Sequence, residues 1–432
     1  MERKMLQWLV KWKNSADRMP LILNGARQVG KSYLGLMFGK THYKNLVYVN
    51  FEGNAEFAKI FERDLNPQRI ITEISLKTGQ NIFENDTLIF FDEIQTCEKA
   101  LTSLKYFCED APQYHIIAAG SLLGVAINRE SFSFPVGKVE MKTLYPLDFE
   151  EYLWAISGEE MADQIRDSYN NSREFSLHLT ALDLYRSYLV VGGMPSSVNE
   201  FVEKKDFDYV GVKQKNIFDS YVADMAKYAT PFESTRIMES FNSIPFQLAK
   251  ENKKFQYKVI KNGARAYQYE GTIDWLKASG VINKILRVNE AKLPLKIFAD
   301  NTSYKIFMTD VGLLSQEFGI PAVNIISEGE GYVNFKGALA ENYVASALVF
   351  AGFSPFYWES SGKAEVDFVI QTKAGEIIPI EVKSSVNVKS RSLNEFIKKY
   401  KPKYSIRIST KNFGFESEIK SVPLYAVFCL EE

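Results

Sequence analysis

Gly25-Ala26-Arg27-Gln28-Val29-Gly30-Lys31-Ser32 follows directly on an apolar run, Leu21-Ile22-Leu23. Two glycines with four residues between them, then Lys and Ser, form the phosphate-binding P-loop pattern. The glycines let the backbone curl so that its N–H groups face a phosphate, Lys31 neutralises the β- and γ-phosphates, and the Ser32 hydroxyl is offered to Mg²⁺. A helix starting at the loop would turn its positive end toward the anion. An ordinary glycine-containing turn between strand and helix has similar composition, but the strand before and the helix after are the context the motif demands. The loop residues Gly25 to Ser32, with Tyr33 in the following turn, are therefore expected to bind ATP with Mg²⁺.

The other half of such a site is legible at Leu88-Ile89-Phe90-Phe91-Asp92-Glu93-Ile94-Gln95. Four apolar residues make a buried parallel strand, and two acids stand at its carboxyl end, where ligands sit in open α/β sheets. Asp92 is expected to hold Mg²⁺ through water and Glu93 to polarise the attacking water. A helix N-cap also explains an acid at a strand end, a weaker reading once Lys31 lies 61 residues before Asp92. A further strand, His115-Ile116-Ile117-Ala118-Ala119-Gly120-Ser121, is expected between the two halves of the site. Ser121 would then either touch the γ-phosphate or the water, or be a plain turn serine.

With these motifs, Gly120-Ser121-Leu122-Leu123-Gly124 and Pro146-Leu147-Asp148-Phe149-Glu150-Glu151-Tyr152-Leu153, the sequence resembles a family of prokaryotic AAA-like ATPases. Downstream, Val191-Gly192-Gly193-Met194-Pro195 and Phe307-Met308-Thr309-Asp310-Val311-Gly312-Leu313-Leu314 resemble the partner domain that follows the ATPase in that family. The resemblance covers most of the chain and implies an ATPase module, a helical and winged-helix-like middle and a nuclease-like end. It implies no substrate. The expected α/β architecture is an ATPase domain at 1–153, a helical region at 154–240, a basic winged-helix-like domain at 241–330 and a nuclease-like domain at 331–432. Arg129, or Lys138, is where an arginine-finger role would fall; a solvated loop residue is the alternative.

At 432 residues the chain is too long for one core. Apolar residues at 46 % and charged residues at 24 % exclude bulk disorder. No apolar run approaches the roughly 20 residues of a membrane helix, and the start Met1-Glu2-Arg3-Lys4-Met5-Leu6-Gln7-Trp8 lacks a signal-peptide core, so a cytoplasmic location is expected. Cys97, Cys108 and Cys429 form neither a disulfide framework nor a zinc pattern. His42, His115 and His178 are scattered singly, which argues against a zinc or histidine-based site.

The net charge is −1, but Lys250 to Lys305 carries twelve Lys/Arg against five Asp/Glu. In this segment helices near 241–252, 255–261 and Arg265–Lys277 precede strands at Val281–Val288 and Lys296–Thr309, the order of a winged helix-turn-helix. Apolar or aromatic residues at 269, 272, 273 and 276 give the third helix one buried face. Lys253, Lys254, Lys258, Lys261 and Arg265 would then lie near DNA phosphates. Alternatively the segment packs as a lid and its lysines only keep it soluble.

From Gly337 a helix carries Glu341 at the spacing of Val344, Ala345 and Leu348, aiming a carboxylate at a buried face, where it needs a partner. Glu365-Val366-Asp367-Phe368-Val369-Ile370 and Ile378-Pro379-Ile380-Glu381-Val382-Lys383-Ser384 read as strands, with Glu381 and Lys383 on one side by the period of two. Such a set would hold Mg²⁺ or Mn²⁺ and activate water. It resembles the PD-(D/E)XK nuclease superfamily, although Val366 stands where that motif has proline. The resemblance implies metal ligands at Asp367 and Glu381, an outer ligand at Glu341 and a water-orienting lysine at Lys383. A structural salt bridge on a sheet is the alternative. Two functions follow: an ATPase governing a metal-dependent endonuclease in DNA processing or defence, or a non-cleaving ATP switch that binds DNA or a protein partner. Oligomerisation is compatible with both.

Overall fold

A computed structural model describes residues 1–120, 134–228, 230–250, 253–360, 364–385 and 391–431. The chain divides into two compact units, one of Glu2–Tyr145 with Ala278–Gly280 and one of Pro146–Lys277 with Val281–Glu432.

The first unit is built on strands β1 (Leu21–Asn24), β2 (Asn45–Asn50), β3 (Thr87–Asp92), β4 (His115–Ala119) and β5 (Glu140–Thr143). Among the described residues they form one parallel sheet in the order β2-β3-β4-β1-β5. Every residue of β3 and β4 is buried, as their unbroken apolar runs require of strands covered on both faces. β4 stands between β1 and β3, so the strand expected between the two halves of the site is there. On one face Ile89, Phe91, Ile116 and Ala118 pack with Ile70, Ile74, Leu101, Leu104 and Phe107. Each such large side chain, fully buried, contributes about 1.5–3 kcal/mol. Helix α1 spans Lys4–Lys13 and helix α2 spans Lys31–His42. α2 approaches the sheet so closely that a Cβ on Gly35 would stand 2.6 Å from the Phe90 ring.

The second unit starts with helices. Helix Phe149–Ser157 is opened by a capping box between Asp148 and Glu151, and helices His178–Val191, Pro195–Lys204, Phe207–Tyr228 and Pro231–Leu248 follow. The break read at Gly192-Gly193-Met194-Pro195 is real. Gly192 has φ 70°, and a Cβ on Gly193 would stand 1.9 Å from the Leu147 carbonyl oxygen. Asp310 holds this corner. Its buried carboxylate accepts from the N–H of Gly193 (2.7 Å) and from that of Leu313 (2.9 Å), the latter capping helix Val311–Phe318.

The same unit carries strands β6 (Ile282–Val288), β7 (Ala299–Met308), β8 (Phe356–Glu359), β9 (Glu365–Gln371), β10 (Ile377–Val382), β11 (Ser405–Ser409), β12 (Gly414–Glu416) and β13 (Ile419–Pro423). They form a mixed sheet, β12-β13-β11-β10-β9-β8-β6-β7, among the described residues. The sheet runs across the expected domain boundary. β6 and β7 pair antiparallel as a ribbon should, yet β6 also pairs in parallel with β8 through Arg287↔Tyr357 and Val288↔Trp358. A boundary at residue 330 therefore cuts through a sheet. The apolar residues of β6 made it a strand in sequence, but its partner, about 70 residues on, leaves no local signal.

Burial pushes the Asp310 carboxyl up to about 6 while its backbone donors act the other way. The folded state thus holds this proton beyond the ordinary 3.8, and stability present below that value is lost as the pH rises through about 6. Relative to Asp310→Asn, which cannot ionise, the parent is expected to lose up to about 3 kcal/mol between pH 4 and pH 6. Urea unfolding of both proteins at several pH values measures the difference.

Candidate functional site

At the carboxyl ends of β1 and β3 the loop and the acidic strand end meet. Gly25 has φ 141°, and a Cβ there would lie 2.2 Å from the Leu144 carbonyl oxygen, so only glycine fits. Gln28 (φ 67°) and Gly30 (φ 94°) complete the curl, and α2 starts at Lys31. The first N–H groups of a helix have no intrahelical acceptor and remain available to an anion. Lys31 is 7 % exposed, and its ammonium donates to the carbonyls of Gly25 (2.9 Å) and Ala26 (2.7 Å). Val29 is buried, Arg27 half-buried, and Gln28 and Tyr33 exposed.

Ser32 Oγ donates to Asp92 Oδ1 at 3.0 Å, so the hydroxyl and carboxylate expected to serve one Mg²⁺ stand side by side. Tyr48 OH donates to Asp92 Oδ2 at 2.8 Å. Burial and the neighbouring Asp92 carboxylate push this phenol up to about 12, keeping it a donor. Glu93 sits in the left-handed region at φ 53°, ψ 41°, a conformation costing a non-glycine residue about 1–3 kcal/mol and found where function demands it. Gln95 Nε2 donates to Glu93 Oε2 at 2.5 Å and fixes its orientation. The donor set suits Mg²⁺ and ATP: a curled N–H cradle, one buried ammonium, and a hydroxyl and a carboxylate in contact. Ser121 and Arg129 lie outside the described residues, and Lys138 is paired with Glu109 at 2.9 Å.

Two residues of this site carry no sequence signal. Arg3, 6 % exposed, donates to the carbonyls of Val29 (3.0 Å) and Tyr145 (2.6 Å), tying the P-loop to the segment after β5. Tyr48 reads in sequence as one more strand aromatic. Both act through contacts made only once the sheet is assembled.

In the second unit, Glu341 (helix Lys336–Phe350), Asp367 (β9), Glu381 (β10) and Lys383 are brought to one place. Lys383 lies one residue beyond β10, its N–H still bonded to the Ile408 carbonyl at 2.8 Å, and its ammonium pairs with Glu381 at 2.6 Å. Asp367 Oδ2 accepts from the Val382 N–H at 2.8 Å. Burial and the carboxylates of Glu341 and Glu381 push the Asp367 carboxyl well above its ordinary range, against the pull of Lys305 and that N–H. Burial acts to lower Lys383, but Glu381, Asp367 and Glu341 outweigh it. Two further lysines enter, neither foreseen for this role: Lys253 pairs with Glu341, and Lys305, 1 % exposed, pairs with Glu365. Glu341, Asp367 and Glu381 lie near enough to act on one another, but among the described residues no three acidic, histidine or cysteine side chains are grouped so as to hold a metal ion. The acids turn toward lysines instead.

The basic segment is also partly paired. Of its twelve cations, Lys253, Lys254, Lys261, Lys284, Arg287, Lys292 and Lys305 are in ion pairs with acids of the same chain. Lys253, Lys254, Lys261 and Lys305 meet acids from outside the segment, so part of the excess in sequence is balanced in space. Among the described residues no helix is long and apolar enough to cross a membrane.

Residues 17–153 match the family described as an AAA domain, 182–324 a domain of unknown function (DUF8612) and 336–427 another (DUF4143). The N-terminal part of the chain is thus an AAA-like P-loop ATPase domain, and such ATPases use ATP with Mg²⁺. No curated protein matches the chain. Solved structures that are similar include a Walker-type ATPase of Pyrococcus abyssi, at 14 % identity over 73 % of this chain and 95 % of that one, with a TM-score of 0.44. They also include the ORC2 protein of Aeropyrum pernix, at 10 % identity, 77 % and 90 % coverage and a TM-score of 0.32. The ORC1 protein of the same organism, solved in complex with DNA, gives 13 %, 77 %, 92 % and 0.29. Likenesses this distant carry no functional argument.

Losing the Arg3 bonds should loosen the P-loop without removing a phosphate contact. Arg3→Ala is expected to weaken binding of a fluorescent ATP analogue about tenfold, equivalent to ~1.4 kcal/mol. An unchanged affinity would show that the loop keeps its shape unaided.

Proposed function

We propose that this chain is a Mg²⁺-dependent ATPase whose nucleotide state operates a switch, and that its C-terminal domain is a nuclease-like scaffold that does not cut. The contact of Ser32 with Asp92, beside the buried Lys31, carries the first part. Lys31 and the loop N–H groups bind the β- and γ-phosphates, and Ser32 and Asp92 hold the magnesium. The ion, when bound, offsets phosphate charge as the terminal phosphoryl group is transferred to water. Glu93, held by Gln95 beside Asp92, orients that water and draws on its proton.

The non-cleaving reading rests on the ion pairs. Lys253, Lys305 and Lys383 engage Glu341, Glu365 and Glu381, closing the carboxylates into a network in place of an open cation site. One observation favours the other reading, metal-dependent cleavage of nucleic acid: the buried oxygens Glu341 Oε2 and Glu381 Oε2 have no hydrogen-bond partner. The order of helices and ribbon at 231–308 is also compatible with a winged helix that binds DNA, but its paired lysines weaken that case. A protein partner is then the better expectation for the switch. We place the chain in the cytoplasm, where ATP is abundant.

Glu93→Gln is expected to bind ATP as the parent does and to hydrolyse it ~10²–10⁴-fold more slowly, whereas Lys31→Ala loses binding itself. Steady-state hydrolysis together with equilibrium binding separates the two. Incubation of parent and Asp367→Ala with labelled DNAs, Mg²⁺ or Mn²⁺ and ATP decides the C-terminal reading. No parent-specific cleavage is expected; cutting that disappears in Asp367→Ala would establish the nuclease.

A further inference from the structure

The cluster in the second unit contains four carboxylates, Glu341, Glu365, Asp367 and Glu381, and three lysines, Lys253, Lys305 and Lys383. Only Lys383 and the acids lie in the stretch 336–427 that matches a family of its own. Lys305 comes from β7 and Lys253 from the short connection after helix Pro231–Leu248. Lys305 pairs with Glu365 of β9, its ammonium 5.0 Å from the centre of the Tyr357 ring on β8. Tyr357 is itself held through its hydroxyl to Ser303 Oγ at 2.8 Å.

An ammonium this thoroughly buried persists only where anions surround it. Lys305 meets the requirement: burial acts to lower its proton affinity, but Glu341, Glu365 and Asp367 together raise it. The acids have the same need. Three of the four have a lysine, and the fourth, Asp367, has a backbone N–H. A divalent cation requires several oxygens converging at about 2.0–2.6 Å, and the lysines draw these carboxylates onto separate partners. The trace of a different arrangement persists. Glu381 is 4 % exposed and, like Glu341, keeps one buried oxygen without a partner.

We infer that Lys253 and Lys305 are resident counter-ions of this cluster, supplied by the segment before it, and that they exclude a divalent cation that the carboxylates would otherwise bind. The inference rests on the closed-network reading above and adds to it the residues that close the site. It also gives the lysine-rich segment a role inside the molecule. Lys253 blocks Glu341 from outside the sheet; Lys305 neutralises the interior next to Glu365 and Asp367.

The test is Mn²⁺ binding to the full chain without nucleotide, followed by the electron paramagnetic resonance of free Mn²⁺. The proteins compared are the parent, Lys253→Ala, Lys305→Met, and each lysine variant combined with Asp367→Asn. The lysine variants are expected to gain one Mn²⁺ site at least tenfold tighter than any in the parent, and to lose it again with Asp367→Asn. The inference is overturned if the parent already binds Mn²⁺ as tightly in an Asp367-dependent way. It is equally overturned if variants with the parent's melting temperature and ATP affinity gain no site. Lys253→Ala removes a side chain outside the sheet, so it decides the matter should Lys305→Met fail to fold. DNA cleavage by the parent would count against the non-cleaving reading, whereas equal Mn²⁺ affinity in parent and variants counts against this one.

Discussion

A charge taken out of water has to meet an opposite charge or a set of donors, and both functional regions of this chain are arranged around that requirement. In the first unit Lys31 is buried against two loop carbonyls, and Asp92 is held by Ser32 and Tyr48. Arg3 is buried against the backbone of the loop itself. In the second unit Asp310 joins the glycine corner to a helix start, three carboxylates each take a lysine, and Asp367 takes a backbone N–H. Except for Lys383, two residues from Glu381, the partner comes from a different element. The pairs therefore fasten the elements together as well as neutralising the groups.

The two regions satisfy the requirement in opposite ways. The P-loop presents donors that its own fold leaves for a phosphate, and its glycines let the backbone make that concavity. The carboxylate cluster is satisfied from within the chain. Its lysines do what a metal ion would do, with fixed single charges in place of a mobile double one. One region is thus built to exchange its partner, ATP, and the other to keep the partner it has.

The ion pairs also change the meaning of composition. A run with twelve basic and five acidic residues suggests a surface for nucleic acid, but a count along the chain does not register acids that arrive from elsewhere. Lys254 and Arg287 both meet Glu359, and Lys305 meets Glu365. Part of the apparent positive face is the complement of two sheet carboxylates, Glu359 and Glu365. The strands read as the wing of the winged-helix-like domain continue into the C-terminal sheet through β8 for a related reason: pairing is set by residues far along the chain.

What the sequence determined by itself is what short-range geometry encodes. Eight consecutive residues specify the P-loop, an apolar run closed by Asp92-Glu93 specifies the strand end, and Gly192-Gly193-Met194-Pro195 specifies a break, because each depends on backbone freedom and side-chain type within one turn. The helical spacing of Glu341 and the acids on two strands were legible for the same reason. Only the tertiary structure decided what those acids face. Lys253 and Glu341 are 88 residues apart and Lys305 and Glu365 60 apart, and no periodicity links them. Lys305 meets Glu365 because β7 and β9 belong to one sheet, and Lys253 meets Glu341 because the connection after helix Pro231–Leu248 comes up against helix Lys336–Phe350. Arg3 belongs to the same class: an arginine ahead of the first helix becomes part of the nucleotide site only because β1 and β5 lie side by side and bring Val29 and Tyr145 within its reach.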